Sequence, residues 1–150
     1  MIGTGRELEE RKKMAGELKL NNVEFVPPVP FSRIPEYMAK AAVCLGIVGD
    51  TEKTQLVIPF KVYEALEAAR PVITADTPAI RELLTHKKDV YLCKAADAGS
   101  LADAIQVLKN DKILRNTIAR NGHTTFQEKC SPAVIGRDIK EMTQELIKNK

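Results

Sequence analysis

Short apolar runs alternate with segments of helical period along most of this chain. Four runs rich in β-branched residues are bounded by turn residues: Val23–Val26, Val43–Val48, Val72–Ala75 and Val90–Cys93. The segments between them carry helical spacing or helix-capping signals. This alternation predicts an α/β fold, a Rossmann-like parallel sheet with flanking helices and right-handed crossovers.

Capping residues and prolines mark where the helices begin. The predicted starts share a short polar side chain at the first turn: Ser32 followed by Pro35, Thr77 followed by Pro78, and Asp97 or Ser100. After Cys93 the strand signals stop, and three consecutive helices are predicted at Leu101–Lys109, Ile113–Lys129 and Ala133–Lys148. A helical C-terminal tail therefore closes the predicted domain.

The start of the chain is unusual for a strand–turn–helix unit. Met1 and Ile2 lead directly into Gly3-Thr4-Gly5 and then into an amphipathic helix predicted at Glu7–Leu18. A strand of about five residues is usual before such a turn. We therefore expect residues 1–150 to form a single domain that starts inside a strand–turn–helix unit and is a fragment of a longer protein.

The two glycines near the start resemble part of a dinucleotide-binding turn, which needs a third glycine at a fixed spacing. Leu8 occupies that third position, and Glu24, the candidate ribose ligand, lies within a predicted strand. NAD or FAD binding is therefore not predicted, because a tight strand-to-helix turn explains Gly3 and Gly5.

Composition narrows the class of protein further. The net charge is +3, from 23 basic and 20 acidic residues, and the basic residues form no run, so nucleic acid is not an expected partner. Apolar runs fall short of the roughly 18 residues that a membrane span needs. The cysteines Cys44, Cys93 and Cys130 are far apart and, like His86 and His123, lack metal-ligand spacing. We predict structural thiols, no metal site and a cytoplasmic protein.

One long connection stands out at the carboxyl end of a predicted strand. The segment Gly49–Pro59 is predicted to be unstructured, and the helix after it begins near Lys61. Long loops at this edge of an open parallel sheet often bind ligands. Val62, Ala65, Leu66 and Ala69 form an apolar stripe on the helix, and Glu64 lies on the opposite side.

Lys61 and Glu64 have two interpretations. Both side chains can be ordinary solvated helix residues. A cation in the first turn of a helix is unfavourable by about 0.3–1 kcal/mol, however, unless an anionic ligand such as phosphate binds there. The Glu64 carboxylate, one turn further on, could then accept hydrogen bonds from a ribose diol.

At these residues the sequence resembles the C-terminal domain of the retaining GT-B glycosyltransferases, known as group 1. The resemblance covers nearly the whole chain in order, and its most specific part is PFKVYEALEAARPVITAD. The matching segments are Ile2–Gly5, Asn22–Phe25, Pro28–Pro30, Ala41–Leu45, Pro59–Asp76, Thr77–Leu84 and Leu101–Ile105.

The resemblance implies a site for a nucleoside-diphosphate sugar, the UDP- or GDP-sugar donor, with no other cofactor. Of the two glutamates that mark this site in the family, Glu64 matches the second, whereas Leu56 replaces the first, which contacts the sugar. The sugar contacts are then expected from the backbone of Ile58, Pro59 and Phe60. The resemblance further places the backbone around Val29 against the nucleobase and the N–H groups of Phe60 and Lys61 against the diphosphate.

The resemblance implies that other parts of the family's structure lie upstream of residue 1. They are the first strand–helix unit of this domain, which carries the basic pair for the donor phosphates, and the N-terminal domain that binds the acceptor. The resemblance implies sugar transfer with retention by the full-length enzyme, which could be peripheral to a membrane, no activity for this fragment alone, and no catalytic residue within it. A non-catalytic binding module or a sugar-nucleotide epimerase on the same fold are the alternatives, and the oligomeric state is not predicted.

Overall fold

The computed structural model describes residues 1–148, which fall into two compact units, residues 1–37 and residues 38–148. Helix α2, Ile34–Lys40, includes the boundary between them. The division does not test the prediction of a single domain, which stays a prediction.

The first unit contains helix α1, Leu8–Glu17, close to the predicted bounds. The strand predicted at Val23–Val26 is wrong, because only Val26 pairs, in a single parallel bridge with Ile2. The Val26 N–H donates to the Met1 carbonyl at 2.7 Å, and the Gly3 N–H donates to the Val26 carbonyl at 3.1 Å. A strand requires a partner along its length, and this bridge is followed at once by the Gly3 turn.

Ser32 does not cap a helix as predicted. It lies inside a short 3-10 turn, Phe31–Arg33, which runs directly into α2 at Ile34. Pro30 precedes this turn with extended backbone and offers no side-chain cap. The helix therefore begins beyond the capping residue that the sequence indicated.

The second unit is built on a parallel sheet of three strands: β1 at Cys44–Leu45, β2 at Val72–Ala75 and β3 at Tyr91–Cys93. The strands lie in chain order, with Cys44 opposite Val72 and Ala75 opposite Cys93. All four residues of β2 are buried, as expected for a central parallel strand. The predicted α/β fold with a parallel sheet is confirmed, although β1 is shorter than the predicted Val43–Val48.

Beyond β1, a side chain continues the contact between the two strands. The Thr74 hydroxyl donates to the Ile47 carbonyl at 2.9 Å, and the Ala75 N–H donates to the same carbonyl at 2.8 Å. This arrangement needs a glycine at position 46, because a Cβ there would lie 2.5 Å from Thr74 Oγ1 and 2.6 Å from Thr74 Cβ.

Helices surround the sheet and form the remainder of the second unit. They are α3 at Glu52–Leu56, α4 at Phe60–Glu67, α5 at Pro78–Leu83, α6 at Ala98–Asn110, α7 at Lys112–Lys129 and α8 at Pro132–Lys148. Two predicted caps are confirmed: Thr77 Oγ1 accepts from the Ile80 N–H at 3.3 Å, and Asp97 Oδ1 accepts from the Ser100 N–H at 2.9 Å. The three C-terminal helices are also confirmed.

Helix α4 supplies much of the core. Val62, Ala65 and Leu66 are fully buried, as the apolar stripe predicted. Ala69 is not part of the stripe, because the helix ends at Glu67 and Ala69 adopts a left-handed conformation with φ of 51°. The Ala69 and Arg70 N–H groups donate to the Leu66 and Ala65 carbonyls, which is the Schellman pattern for closing a helix.

Helix α7 packs closely against α4 at Gly122. A Cβ at position 122 would lie 2.7 Å from Leu66 Cδ2 and 2.9 Å from the Asp89 carbonyl oxygen. On the same helix, the Asn121 side chain donates to the Lys88 carbonyl at 2.9 Å. The helix is therefore held against both α4 and the turn that precedes β3.

Helix α8 has no buried residues, and its exposed apolar residues include Ile135, Ile139, Met142 and Leu146. Their spacing places them on one face of the helix. No helix within residues 1–148 combines the length and the apolar character that a membrane span needs.

Candidate functional site

The connection between β1 and α4 is partly helical, so the prediction that Gly49–Pro59 is unstructured is wrong. Helix α3 forms within it, and the Thr54 hydroxyl donates to the Thr51 carbonyl at 2.6 Å and to the Gly49 carbonyl at 3.1 Å. Glu52 in the first turn complements the helix dipole, and no glycine or proline interrupts residues 52–56. The helix packs against α5, so the connection is a folded part of this edge of the sheet.

The N-terminus of α4 presents unpaired backbone donors. Pro59 is the N-cap residue and makes no side-chain capping bond, while the Val62 N–H donates to the Pro59 carbonyl at 2.9 Å. Among the residues that the structure describes, the N–H groups of Phe60 and Lys61 make no hydrogen bond. The first turn of a helix in this state favours a bound anion.

Charged side chains stand on the face of α4 that points away from the core. Lys61 is exposed and Glu64 is half-buried, and within residues 1–148 neither belongs to an ion pair. Although Lys61 is exposed overall, neighbouring protein atoms desolvate its amine and lower its pKa. An anion bound beside the amine would favour the charged form and oppose this shift.

Apolar residues frame the same helix end. Ile58 is half-buried and packs against the core cluster that contains Val62, which fixes the start of α4. Leu56 and Phe60 are instead strongly exposed, at 72% and 86%. The predicted site residues Ile58, Pro59, Phe60, Lys61 and Glu64 thus form one continuous segment with a buried anchor and an exposed surface.

Val29, predicted to lie against a nucleobase, belongs to the first unit, whereas Ile58–Glu64 belong to the second. Val29 is half-buried between Pro28 and Pro30, in a segment without regular secondary structure. Its assignment as a site residue, like that of the α4 residues, stays a prediction.

A cavity that the sequence did not indicate lies further along the sheet. It has a volume of about 540 Å³, and its polar lining comes from Asp76, Arg81, His86, Lys94 and Ser100. Asp76 directly follows β2 and Lys94 directly follows β3, so the cavity opens at the carboxyl edge of both strands. Open α/β sheets bind ligands at that edge. The position of Asp76 and Lys94 directly after two strands is therefore the feature of the sequence that could have indicated this cavity.

The charged groups of this cavity are held in place by hydrogen bonds. Arg81 donates to both carboxylate oxygens of Asp76, at 2.5 and 2.6 Å, and this bond holds the Asp76 pKa below its usual value. The Ser100 hydroxyl oxygen accepts from the Lys94 N–H at 2.9 Å, and the Lys94 amine lies 3.4 Å from Asp97. The Asp76–Arg81 pair and the backbone at Lys94 are therefore held in place by hydrogen bonds, whereas the Lys94 amine is exposed.

His86 has a defined tautomer in this structure. Its Nδ1 accepts from the Leu92 N–H at 2.9 Å, which leaves the proton on Nε2. Partial burial lowers the His86 pKa, with Lys87 and Arg81 acting in the same direction and Asp76 opposing them. The neutral ring is thus the form that the fold favours.

We expect stability to depend on pH through His86. Because the folded-state pKa is depressed, the unfolded chain takes up the proton first, and stability falls as the pH drops below about 6.5 until the folded ring also titrates. Urea unfolding between about pH 7.5 and 5.5 measures this slope. In His86→Asn, which keeps an acceptor for the Leu92 N–H, the slope should be smaller; an unchanged slope would show that another group causes it.

The cysteines are free thiols: Cys93 is buried, and Cys44 and Cys130 are partly buried. Burial raises the pKa of all three. Within residues 1–148, no three histidine, cysteine or acidic side chains are grouped as a metal site requires. The predicted absence of a metal stays a prediction.

Solved structures define the class of this fold. HepE of Anabaena, solved in complex with UDP-glucose, matches with a TM-score of 0.82 at 22% identity, over 96% of this chain and 40% of that chain. The C-terminal domain of LpcC, a glycosyl transferase group 1 family protein of Francisella tularensis, matches with a TM-score of 0.68 at 19% identity, over 86% and 66% of the two chains. The fold is that of the C-terminal domain of GT-B glycosyltransferases, as predicted.

The family is shown by the sequence itself. The model of the family "Glycosyl transferases group 1" matches residues 1–125, and the chain belongs to this family. A capsular polysaccharide biosynthesis glycosyltransferase of Staphylococcus aureus, CapM, is 28% identical over 85 residues, which are 57% of this chain. The chain spans 22% of the length of CapM.

Proposed function

We propose that this chain binds a nucleoside-diphosphate sugar at the N-terminus of α4, as the donor-binding part of a glycosyltransferase. The observation that carries the proposal is the pair of unbonded N–H groups of Phe60 and Lys61 in a chain of the group 1 family. The structure of HepE in complex with UDP-glucose supports a donor of this class.

The geometry suits the chemistry of sugar transfer. When the glycosidic bond of the donor breaks, negative charge develops on the leaving diphosphate. Fixed N–H groups and the Lys61 amine would stabilise that charge more strongly in the transition state than in the bound donor, and such differential stabilisation accelerates the reaction. The Glu64 carboxylate, one helical turn further on in α4, would accept hydrogen bonds from the ribose diol.

The whole enzyme would transfer the sugar from a UDP- or GDP-sugar with retention of configuration and without a metal. The reaction would take place in the cytoplasm, and the acceptor would bind to a domain outside these residues. The isolated chain would bind donor weakly and catalyse no transfer, since no residue here is assigned to the acceptor side.

The test is a titration of the chain with UDP, GDP and their glucose conjugates, followed by backbone amide shifts. We expect shifts at residues 60–64, with an affinity that falls at least about tenfold in Glu64→Ala, because charge-assisted hydrogen bonds are lost. Glu67→Ala is the matched control, since Glu67 is exposed on the same helix, beyond the first two turns.

The absence of shifts at about 10 mM of every nucleotide would overturn the proposal, since weak sites are saturated there. A response of Glu64→Ala equal to that of Glu67→Ala would remove Glu64 from the site. An absent response would also favour the alternative of a non-catalytic binding module. An epimerase would need acid–base groups that act on the bound sugar, and it would convert UDP-glucose without any acceptor.

A further inference from the structure

Several side chains that line the cavity at the ends of β2 and β3 have N–H or O–H donors available for a ligand. Both Asp76 oxygens already accept from Arg81, which uses only its Nε and Nη2 atoms for this pair. The guanidinium has five N–H donors, so several of them are free for a ligand. The Nε2–H of His86 is a further donor on the lining, because Nδ1 is bonded to the Leu92 N–H.

The side chains that line the cavity after the end of β3 also offer hydrogen-bond donors. The Ser100 hydroxyl accepts from the Lys94 N–H and keeps its own proton to donate. The Lys94 side chain is 78% exposed and has one carboxylate at 3.4 Å, so its ammonium group can turn towards a ligand. Arg81, His86, Ser100 and Lys94 thus all offer the cavity N–H or O–H donors.

The cations of the lining lie beside carboxylates. Arg81 and Lys94 are both cations, whereas Asp76 is the carboxylate among the residues that form the cavity wall. Asp97, which lies beside the lining, is 3.4 Å from the Lys94 amine, so each cation already has one carboxylate neighbour. Guanidinium and ammonium donors that remain available next to such pairs recognise oxyanions, and guanidinium groups do so with two parallel hydrogen bonds.

We propose that this cavity binds the carboxylate or phosphate group of a ligand, with Arg81, Lys94 and His86 as its donors. The Asp76 carboxylate fixes one edge of the Arg81 guanidinium and leaves the other edge for the oxyanion. Ser100 adds a hydroxyl donor. This binding site goes beyond the proposed function, because it shares no lining residue with the N-terminus of α4.

Amide shifts of the chain measure this binding with three probes at constant ionic strength: inorganic phosphate, glucuronate and glucose. We expect phosphate and glucuronate to shift the amides of His86, Lys94 and Ser100, and glucose to leave them unchanged. A stronger response to one probe identifies the phosphate or the carboxylate as the natural group.

Two variants test the donors, and a third controls for charge. Arg81→Gln and Lys94→Gln should each weaken phosphate binding by about fivefold, the size expected for partly exposed charge pairs. Arg137→Gln should leave phosphate binding unchanged, because Arg137 does not line the cavity. It is a matched control, since Arg137 is as exposed as Arg81, at 61% against 60%, and also has an aspartate partner. Lys94 lies on the surface, so its variant should fold even if removal of Arg81 disturbs the loop after β2.

Three results would overturn the proposal. They are no response to about 50 mM phosphate, an equal response in Arg81→Gln and Arg137→Gln, and a response to glucose as strong as that to glucuronate. UDP separates this site from the donor site: saturating UDP should shift residues 60–64 and leave phosphate binding at the cavity intact. Loss of phosphate binding under UDP would show one shared site, and failure of UDP alone would affect only the proposed function.

Discussion

Replacing Leu66 with alanine is expected to lower the free energy of unfolding by about 2–5 kcal/mol, the largest effect of a single substitution that we expect in this chain. Leu66 is fully buried and belongs to the cluster that joins α4 to the sheet, with Val62, Val72 and Val90 among its members. The change removes apolar contacts and leaves a cavity where close packing prevents collapse. Urea unfolding followed by circular dichroism measures the loss.

Leu146→Ala is the matched control, because Leu146 lies on helix α8 and is 71% exposed. Its effect should stay within about 0.5 kcal/mol. Similar losses in the two variants would show that the α4 cluster is not the main core of the second unit. Since the same helix carries Lys61 and Glu64, Leu66→Ala should also weaken the nucleotide response of residues 60–64 without touching the ligand.

Replacing Gly122 with alanine is expected to destabilise the chain by about 1–3 kcal/mol, because the added methyl group has no room. The new Cβ would meet Leu66 Cδ2 at 2.7 Å and the Asp89 carbonyl oxygen at 2.9 Å. Leu66 can adjust its side chain, but the carbonyl belongs to the turn before β3 and is fixed by that turn. The melting temperature should fall by about 2–4 °C for each kcal/mol.

Gly136→Ala, in helix α8 of the same unit, is expected to have the opposite effect on stability. Nothing lies within 4 Å of a Cβ at position 136, so this variant should be more stable by about 0.5–1 kcal/mol. A gain in both variants would show that α7 has space to move away from α4. In the double variant Leu66→Ala with Gly122→Ala, the combined loss should be smaller than the sum, since the two sites touch.

The elements that the sequence predicted well are those with strong local signals. The strand Val72–Ala75 was predicted with its observed bounds, and the caps Thr77 and Asp97 make the expected hydrogen bonds. The wrong predictions concern segments that lack a pairing partner or are too short to carry a clear local signal. Residues 23–25 have strand-forming character but no neighbouring strand, and the five residues of α3 are too few to give a clear helical period.

The part of the candidate site that is continuous in sequence could be predicted, whereas the cavity could not. Residues 58–64 are continuous in sequence, so the helix start and its charges were visible without the fold. The cavity lining is spread over residues 76–100, and the pairing of Ala75 with Cys93 makes Asp76 and Lys94 neighbours. Strand register is not visible in a single sequence, so this pairing could not be predicted.

The contact between Gly46 and Thr74 restricts how this family member can evolve. The space that a side chain at position 46 would need is filled by the Thr74 hydroxyl and Cβ, and Val62 Cγ2 lies 3.1 Å from the same point. A side chain at position 46 is therefore tolerated only if residue 74 also gives up its hydroxyl and Cβ, so that change at position 46 is coupled to position 74. Such a pair would constrain the sheet edge beside α4 even while the loops that contact a ligand diverge.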